Sequence, residues 1–218
     1  MNAIDPKEFS ISKLNTPEFS HLKLLVGWVV YFALYFLTEN LIPVENCHEV
    51  SCGLDYVIPF CEWFVIAYVF WYFLIIYSLE VFAFKDIDSF KKLQTYIMIT
   101  QTVAMIIYII YPSCQNLRPE QFPRENILTN IIGLIYSFDT NTGVCPSLHC
   151  AYSIGIASVW LSKIDSSPLL KGFIVISVVL ICLSTMFIKQ HSAVDFFAAI
   201  PVCILAEFLV FKVFYKHK

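Results

Sequence analysis

Charge is what this sequence has least of. Only 14 % of its 218 residues are Asp, Glu, Lys or Arg, 58 % are hydrophobic, and the mean hydropathy is +0.71. Soluble domains carry roughly 25 % charged and about 45–50 % apolar residues, so that class is excluded. The chain also lacks a Pro/Gly/Ser-rich linker, a run of like charges and an internal repeat, which leaves one integral domain. A net charge of −3 without a basic cluster gives no footing for nucleic acid, and no such partner is expected. The first 21 residues are too polar for the apolar region of a cleavable secretory signal. They read as a short cytosolic tail, mobile or lying on the surface, ahead of a membrane domain over 22–218.

What the sequence does have is long apolar runs, at 22–38, 57–83, 93–112, 146–162, 168–187 and 191–214. Each approaches the roughly 20 residues that a helix needs to cross a bilayer. The runs are continuously apolar rather than alternating, which favours helices over a β-barrel. The expected fold is all-α, a polytopic bundle of six transmembrane helices.

Lysines orient it. Lys7, Lys13, Lys23, Lys85, Lys91, Lys92, Lys163, Lys171, Lys212, Lys216 and Lys218 fall in the tails and alternate connections that an even number of spans puts on one side. The positive-inside bias makes that side the cytosol, with both termini there and a cell membrane as the location. The opposite side holds the loop 39–56, which has no Lys or Arg, the loop 113–145 and a turn near 188–190, and its only cations are Arg118, Arg124 and Lys189. Insertion disfavours cations there, so they pair either with an anionic ligand or with headgroup phosphates. Cys47 and Cys52 share the outer loop and suit a disulfide in an oxidising compartment, whereas Cys182 and Cys203 sit inside spans as small buried thiols.

Three segments at the outer boundary carry chemistry: YPSCQNLRP at 111–119, CPSLHC at 145–150 and STMFIKQHSAVD at 184–195. His191 and Asp195 are four apart, so on a helix they share a face and the carboxylate can hold Nδ1 of the imidazole. A ring so oriented can attack phosphorus or act as a base; alternatively the pair is a structural hydrogen bond at a helix end. Pro146 suits the first position of a helix whose free amides, with Ser147, favour a phosphate oxygen. His149 on that first turn can give a proton to a departing alkoxide. Arg118 offers a planar fork of donors matched to phosphate.

The order and spacing of these segments resemble the type 2 phosphatidic acid phosphatases. That family's signature is Lys-x6-Arg-Pro, Pro-Ser-Gly-His and Ser-Arg-x5-His-x3-Asp. This chain reads Tyr-x6-Arg-Pro from Tyr111, Pro-Ser-Leu-His from Pro146, and Ser-Thr-x5-His-x3-Asp from Ser184. Tyr111 replaces a Lys, Leu148 a Gly and Thr185 an Arg, so two phosphate-binding cations are absent. Pro-Ser-Leu-His, with Lys189 shortly before His191, resembles the branch that includes the inositol phosphorylceramide synthases.

The resemblance implies that His191 attacks phosphorus, Asp195 orients it and His149 protonates the leaving oxygen. Arg118, Ser147, Ser184, Thr185 and Lys189 would hold the phosphate oxygens. It implies a lipid phosphate as substrate, and hydrolysis or transfer to a lipid hydroxyl through a phosphohistidine. A non-catalytic lipid-phosphate binder or transporter is the remaining class. Cys145, His149, Cys150, His191 and Asp195 include zinc-ligand types, but their spacing does not demand a metal, and no metal or cofactor is expected.

Overall fold

The computed structural model describes residues 4–163 and 165–216, so Lys218 and the first three residues of the expected tail lie outside it. In chain order it contains α1 (Val26–Leu41), β1 (His48–Glu49), α2 (Gly53–Val57), α3 (Val65–Lys85), α4 (Ile87–Ile110), β2 (Ser113–Cys114), α5 (Ile127–Phe138), α6 (Leu148–Ser162), α7 (Pro168–Phe187) and α8 (Ala193–Phe208). Tighter turns extend α1 back to Ser20 and α3 back to Glu62, and a wider turn carries α8 on to Phe214. The protein is an all-helical bundle, and among the described residues five helices are long and apolar enough to cross a membrane: Ser20–Leu41, Glu62–Lys85, Ile87–Ile110, Pro168–Phe187 and Ala193–Phe214.

The sixth expected span, 146–162, is the 15-residue helix α6. At 1.5 Å per residue it reaches about 22 Å, short of the roughly 30 Å hydrocarbon core. Its position explains why a short helix is tolerated: α6 packs against α3, α4, α7 and α8, so its neighbours rather than lipid cover most of it. At Gly155 the approach to α4 is tight. A Cβ there would lie 2.6 Å from Cε1 of the fully buried Tyr96 on α4, so only glycine lets these two helices meet.

Three other boundaries differ from the apolar runs for local reasons. The run 57–83 is broken after α2 by Ile58–Pro59, since the residue before a proline is pushed out of the helical region. Helix α4 begins six residues before the run 93–112, because Asp86 caps it by accepting the Ser89 amide at 3.1 Å and the Ser89 hydroxyl at 2.8 Å. Pro146 is not the first residue of α6 but precedes its N-cap, Ser147, and the Cys145–Pro146 bond is cis.

The two ends of the bundle are built differently. At one end the N-terminal segment lies against the helices, with the Ile4 amide bonded to Phe84 O at 2.8 Å, Phe19 buried, and His21 Nε2 2.9 Å from Ala83 O. The Lys163–Asp86 ion pair sits there too. At the other end the connections 42–61 and 111–147 form a cap, joined by the short parallel pair β1–β2 and containing α5, an apolar helix inside the expected loop 113–145. Cys47 and Cys52 are unbonded, and no disulfide exists among the described residues.

Candidate active site

The cap, the start of α6 and the α7–α8 turn converge on one arrangement of hydrogen bonds. His191 precedes the N-cap of α8, Ser192, and Asp195 is the third residue of that helix. Asp195 Oδ2 accepts the Ser192 amide at 2.9 Å while the Asp195 amide donates to Ser192 Oγ at 3.2 Å, a reciprocal capping box. The same Oδ2 lies 3.2 Å from His191 Nδ1. The spacing of four therefore joins imidazole and carboxylate across a helix cap, not along a helix face. Thr185 O accepts the His191 amide at 3.0 Å and fixes the approach from α7.

On its other side, His191 Nε2 is 3.2 Å from Nδ1 of His149 in the first turn of α6. The His149 ring is held between aromatic faces, with centroids 4.3 Å from Trp71 and 4.7 Å from Tyr68, and its Nε2 is buried without a partner. Asp195, His191 and His149 thus form a continuous chain of polar contacts. Burial from water lowers the His191 pKa, but the hydrogen bond and negative charge of Asp195 outweigh it, and the imidazole titrates above its ordinary value.

His149 and His191 lie on the wall of a cavity of about 510 Å³. One side of it is a face of α1, with Trp28, Tyr31, Phe32 and Tyr35, and another is a face of α3, with Trp71, Tyr72 and Ile75. Asp139, Thr140 and Gln190 close its polar end. Asp195 stands behind His191, off the wall. Arg118, Ser147, Ser184, Thr185 and Lys189 do not line the cavity.

Each of those five has an internal role instead. Arg118 Nη1 donates to Tyr136 O at 3.2 Å, and Nη2 reaches Asp139 O at 2.7 Å, Thr140 O at 2.9 Å and Gln190 Oε1 at 3.0 Å, while the guanidinium lies 4.4 Å over the Tyr136 ring. Lys189, in the left-handed region at φ 55°, donates from Nζ to Asp55 O and Ile58 O, each at 2.6 Å. Ser147 Oγ caps the Cys150 amide of α6 at 3.5 Å. Ser184 and Thr185 return their hydroxyl protons to Ile181 O and Cys182 O within α7. The first amide of α8, on Ala193, is taken by Asp55 Oδ1 at 2.6 Å.

Among the cavity residues that escaped the sequence reading are Gln190 and Asp139. Gln190 Nε2 donates to Asp139 Oδ2 at 2.6 Å, joining the α7–α8 turn to the end of α5. Asp139 follows an apolar helix in the stretch FDTNTG, and that abrupt polarity is the signal that marks it.

The chain can move a proton: one imidazole, kept oriented by a carboxylate, exchanges it with another that faces the cavity. It can also supply a nitrogen nucleophile if the two rings part. A phosphoryl group attacked by one ring and protonated by the other needs the two nitrogens roughly 6–7 Å apart, given near-attack and hydrogen-bond distances. At 3.2 Å the pair is closed, and a substrate would have to enter between them. Among the described residues, no group of three or more His, Cys, Asp or Glu side chains is arranged to hold a metal ion. No family model, curated protein or solved structure matches this chain.

Proposed function

We propose that this chain is an integral membrane phosphatase of lipid phosphates, akin to the type 2 phosphatidic acid phosphatases, working through a phosphohistidine on His191. The observation that carries the reading is the hydrogen-bonded series Asp195, His191, His149 ending at an aromatic-walled cavity. His191 Nε2 attacks phosphorus and the phosphorus–oxygen ester or anhydride bond breaks. The leaving oxygen takes a proton from His149. Water, deprotonated by His149, then attacks the phosphohistidine; the phosphorus–nitrogen bond breaks, phosphate leaves and His191 is restored. Asp195 keeps Nδ1 protonated and stabilises the charge that His191 gains during attack.

The active site then belongs at the extracytoplasmic boundary of a cell membrane, with both termini cytosolic. The gathering of Lys85, Lys163 and Lys171 at helix ends on the opposite side of the bundle supports that orientation. The substrate is a phosphomonoester or pyrophosphate whose lipid chain remains in the bilayer. A second reading, transfer of a phospho-headgroup to a lipid hydroxyl, is favoured by the cavity wall, whose α1 and α3 faces are mostly aromatic and offer room for an acceptor lipid.

The test is phosphate release by the detergent-purified protein from a panel of lipid phosphates, with and without chelator, beside His191→Ala. Chelator-insensitive release by the native protein alone supports hydrolysis. Product formation only when a lipid hydroxyl is supplied supports transfer. Absence of both with retained lipid-phosphate binding would leave a binding protein.

A further inference from the structure

His191 stands between two positions of the chain that one distant residue holds. The carbonyl oxygen of Asp55, in the short helix α2, accepts the Lys189 ammonium at 2.6 Å, two residues before His191. Its carboxylate oxygen Oδ1 accepts the amide of Ala193 at 2.6 Å, two residues after His191. The rest of the segment extends the hold: Ile58 O accepts Lys189 Nζ at 2.6 Å, and the Cys61 amide donates to Phe187 O at 3.0 Å. Asp55 does not line the cavity, so whatever it does for chemistry there it does through other groups.

Asp55 is 3 % exposed, and a carboxylate so buried is costly unless its oxygens are bonded. Oδ2 accepts the Cys52 amide at 2.7 Å and so closes the start of α2, while Oδ1 crosses 138 residues of sequence to α8. The positive end of α8 favours a carboxylate there. The reciprocal cap of Ser192 and Asp195 occupies only the amides of those two residues, and Asp55 takes the Ala193 amide between them. That amide adjoins the atoms that orient the imidazole. Ser192, between His191 and Ala193, is extended at φ −82° and ψ 162°, and its setting decides how the chain enters α8. Asp195 Oδ2 has to accept both the Ser192 amide at 2.9 Å and His191 Nδ1 at 3.2 Å. A shift of Ser192 against α8 trades one of these bonds for the other.

We infer that Asp55 is a positioning residue, which sets His191 against Asp195 and His149 by holding Lys189 and Ala193 on either side of it. The inference deepens the reading given under Proposed function and rests on it for His191 as the nucleophile.

The test separates the bond to α8 from the charge of Asp55. Ala193→Pro removes the donor and keeps every charge; it falls at the first helical position, where proline is tolerated, after a residue already in the extended region that proline requires. Asp55→Ala removes the acceptor. One readout is the low-field proton of His191 Nδ1–H in protein carrying isotopically labelled histidine in maltoside micelles, assigned by its loss in His191→Ala. The other is hydrolysis of phosphatidic acid in the same micelles. Both variants should move that proton upfield and lower kcat by about ten- to hundredfold, the scale of a misplaced reacting group, with KM near native. The double variant should be no worse than the poorer single one, because both remove the same bond. Asp55→Asn, which keeps an oxygen for Ala193 but no charge, should recover most of the loss. An unmoved proton in folded Ala193→Pro, losses that multiply in the double variant, or an Asp55→Asn as impaired as Asp55→Ala would each overturn the inference. If Asp55→Ala does not fold, since the Cys52 amide loses its acceptor too, Ala193→Pro and Asp55→Asn decide. No turnover of any lipid phosphate by the native protein, with the proton still moving in Ala193→Pro, sinks the enzyme alone. Turnover with an unmoved proton sinks the positioning role alone.

Discussion

Arg118 and Lys189, in the cap and the α7–α8 turn, lie at the same end of the bundle as His149 and His191, yet the two pairs spend their polar atoms in different ways. Arg118 directs its two Nη atoms at three backbone carbonyls and the Gln190 amide oxygen, and Lys189 ties α7 to the 55–58 segment. The histidines bond to one another and to Asp195, and His149 Nε2 has no partner among the described residues. A cation whose terminal nitrogens are taken by carbonyls is a fastener for the cap, although Arg118 Nε, like His149 Nε2, is buried without a partner among the described residues. An imidazole with an unpartnered nitrogen beside a cavity is available for chemistry. In sequence both pairs look the same, as polar residues stranded among apolar ones.

The comparison breaks most decisively at His191. His191→Ala should lower turnover by about a thousandfold or more, the scale of losing a nucleophile with its base, while the thermal midpoint stays close to native. Substantial residual activity would move chemistry away from the histidine pair. Arg118→Ala should have the reverse signature. Removing the guanidinium leaves several carbonyls short of a donor and should cost about 2–4 kcal/mol, measured by denaturant unfolding, with Arg118→Lys recovering only part. If native stability accompanied a large rise in KM instead, Arg118 would be a phosphate ligand and the contrast would fail.

Lys189→Met tests the same contrast at lower amplitude. Two carbonyls, Asp55 O and Ile58 O, lose the ammonium of a residue that is 8 % exposed, so a loss of about 1–3 kcal/mol is expected with KM unaltered. A selective rise in KM would return Lys189 to the role suggested by the missing cations at Tyr111 and Thr185. Gly155→Ala, remote from either pair, should destabilise by about 1–3 kcal/mol through the crowded Tyr96 ring and leave the pH profile intact.

How much of this was legible depended on whether a feature is local. The run 168–187 coincides with α7, where Ser167 caps the helix and Pro168 opens it, signals contained in adjacent residues. The His191–Asp195 contact is likewise local, and the helix cap that creates it matches the alternative of a hydrogen-bonded pair at a helix end. Arg118 was opaque because its partners come from residues 136–140 and 190, brought near by the folding of the cap. Helix α6 reads as a span by composition, and only its four helical neighbours account for its shortness. The aromatic residues of α1 and α3 stand at helical spacing, but they do not read as opposite walls of one cavity, because nothing in either segment encodes the gap between them.

The finest test of the histidine side is the effect of pH. The His191 pKa lies above the ordinary 6.5 because Asp195 outweighs the effect of burial. Attack requires an unprotonated Nε2, so turnover should rise with pH through a midpoint above 6.5. Asp195→Asn should move that midpoint down and lower the maximal rate by loosening the ring. Stability should run the other way. A group whose pKa is raised on folding stabilises the fold fully below its unfolded value, and that contribution fades as pH climbs through the folded value. The native protein should therefore lose a little stability across this window while gaining activity, and Asp195→Asn should flatten both trends. A native activity limb at or below pH 6.5 would mean that His191 does not feel Asp195 in the way its 3.2 Å contact implies.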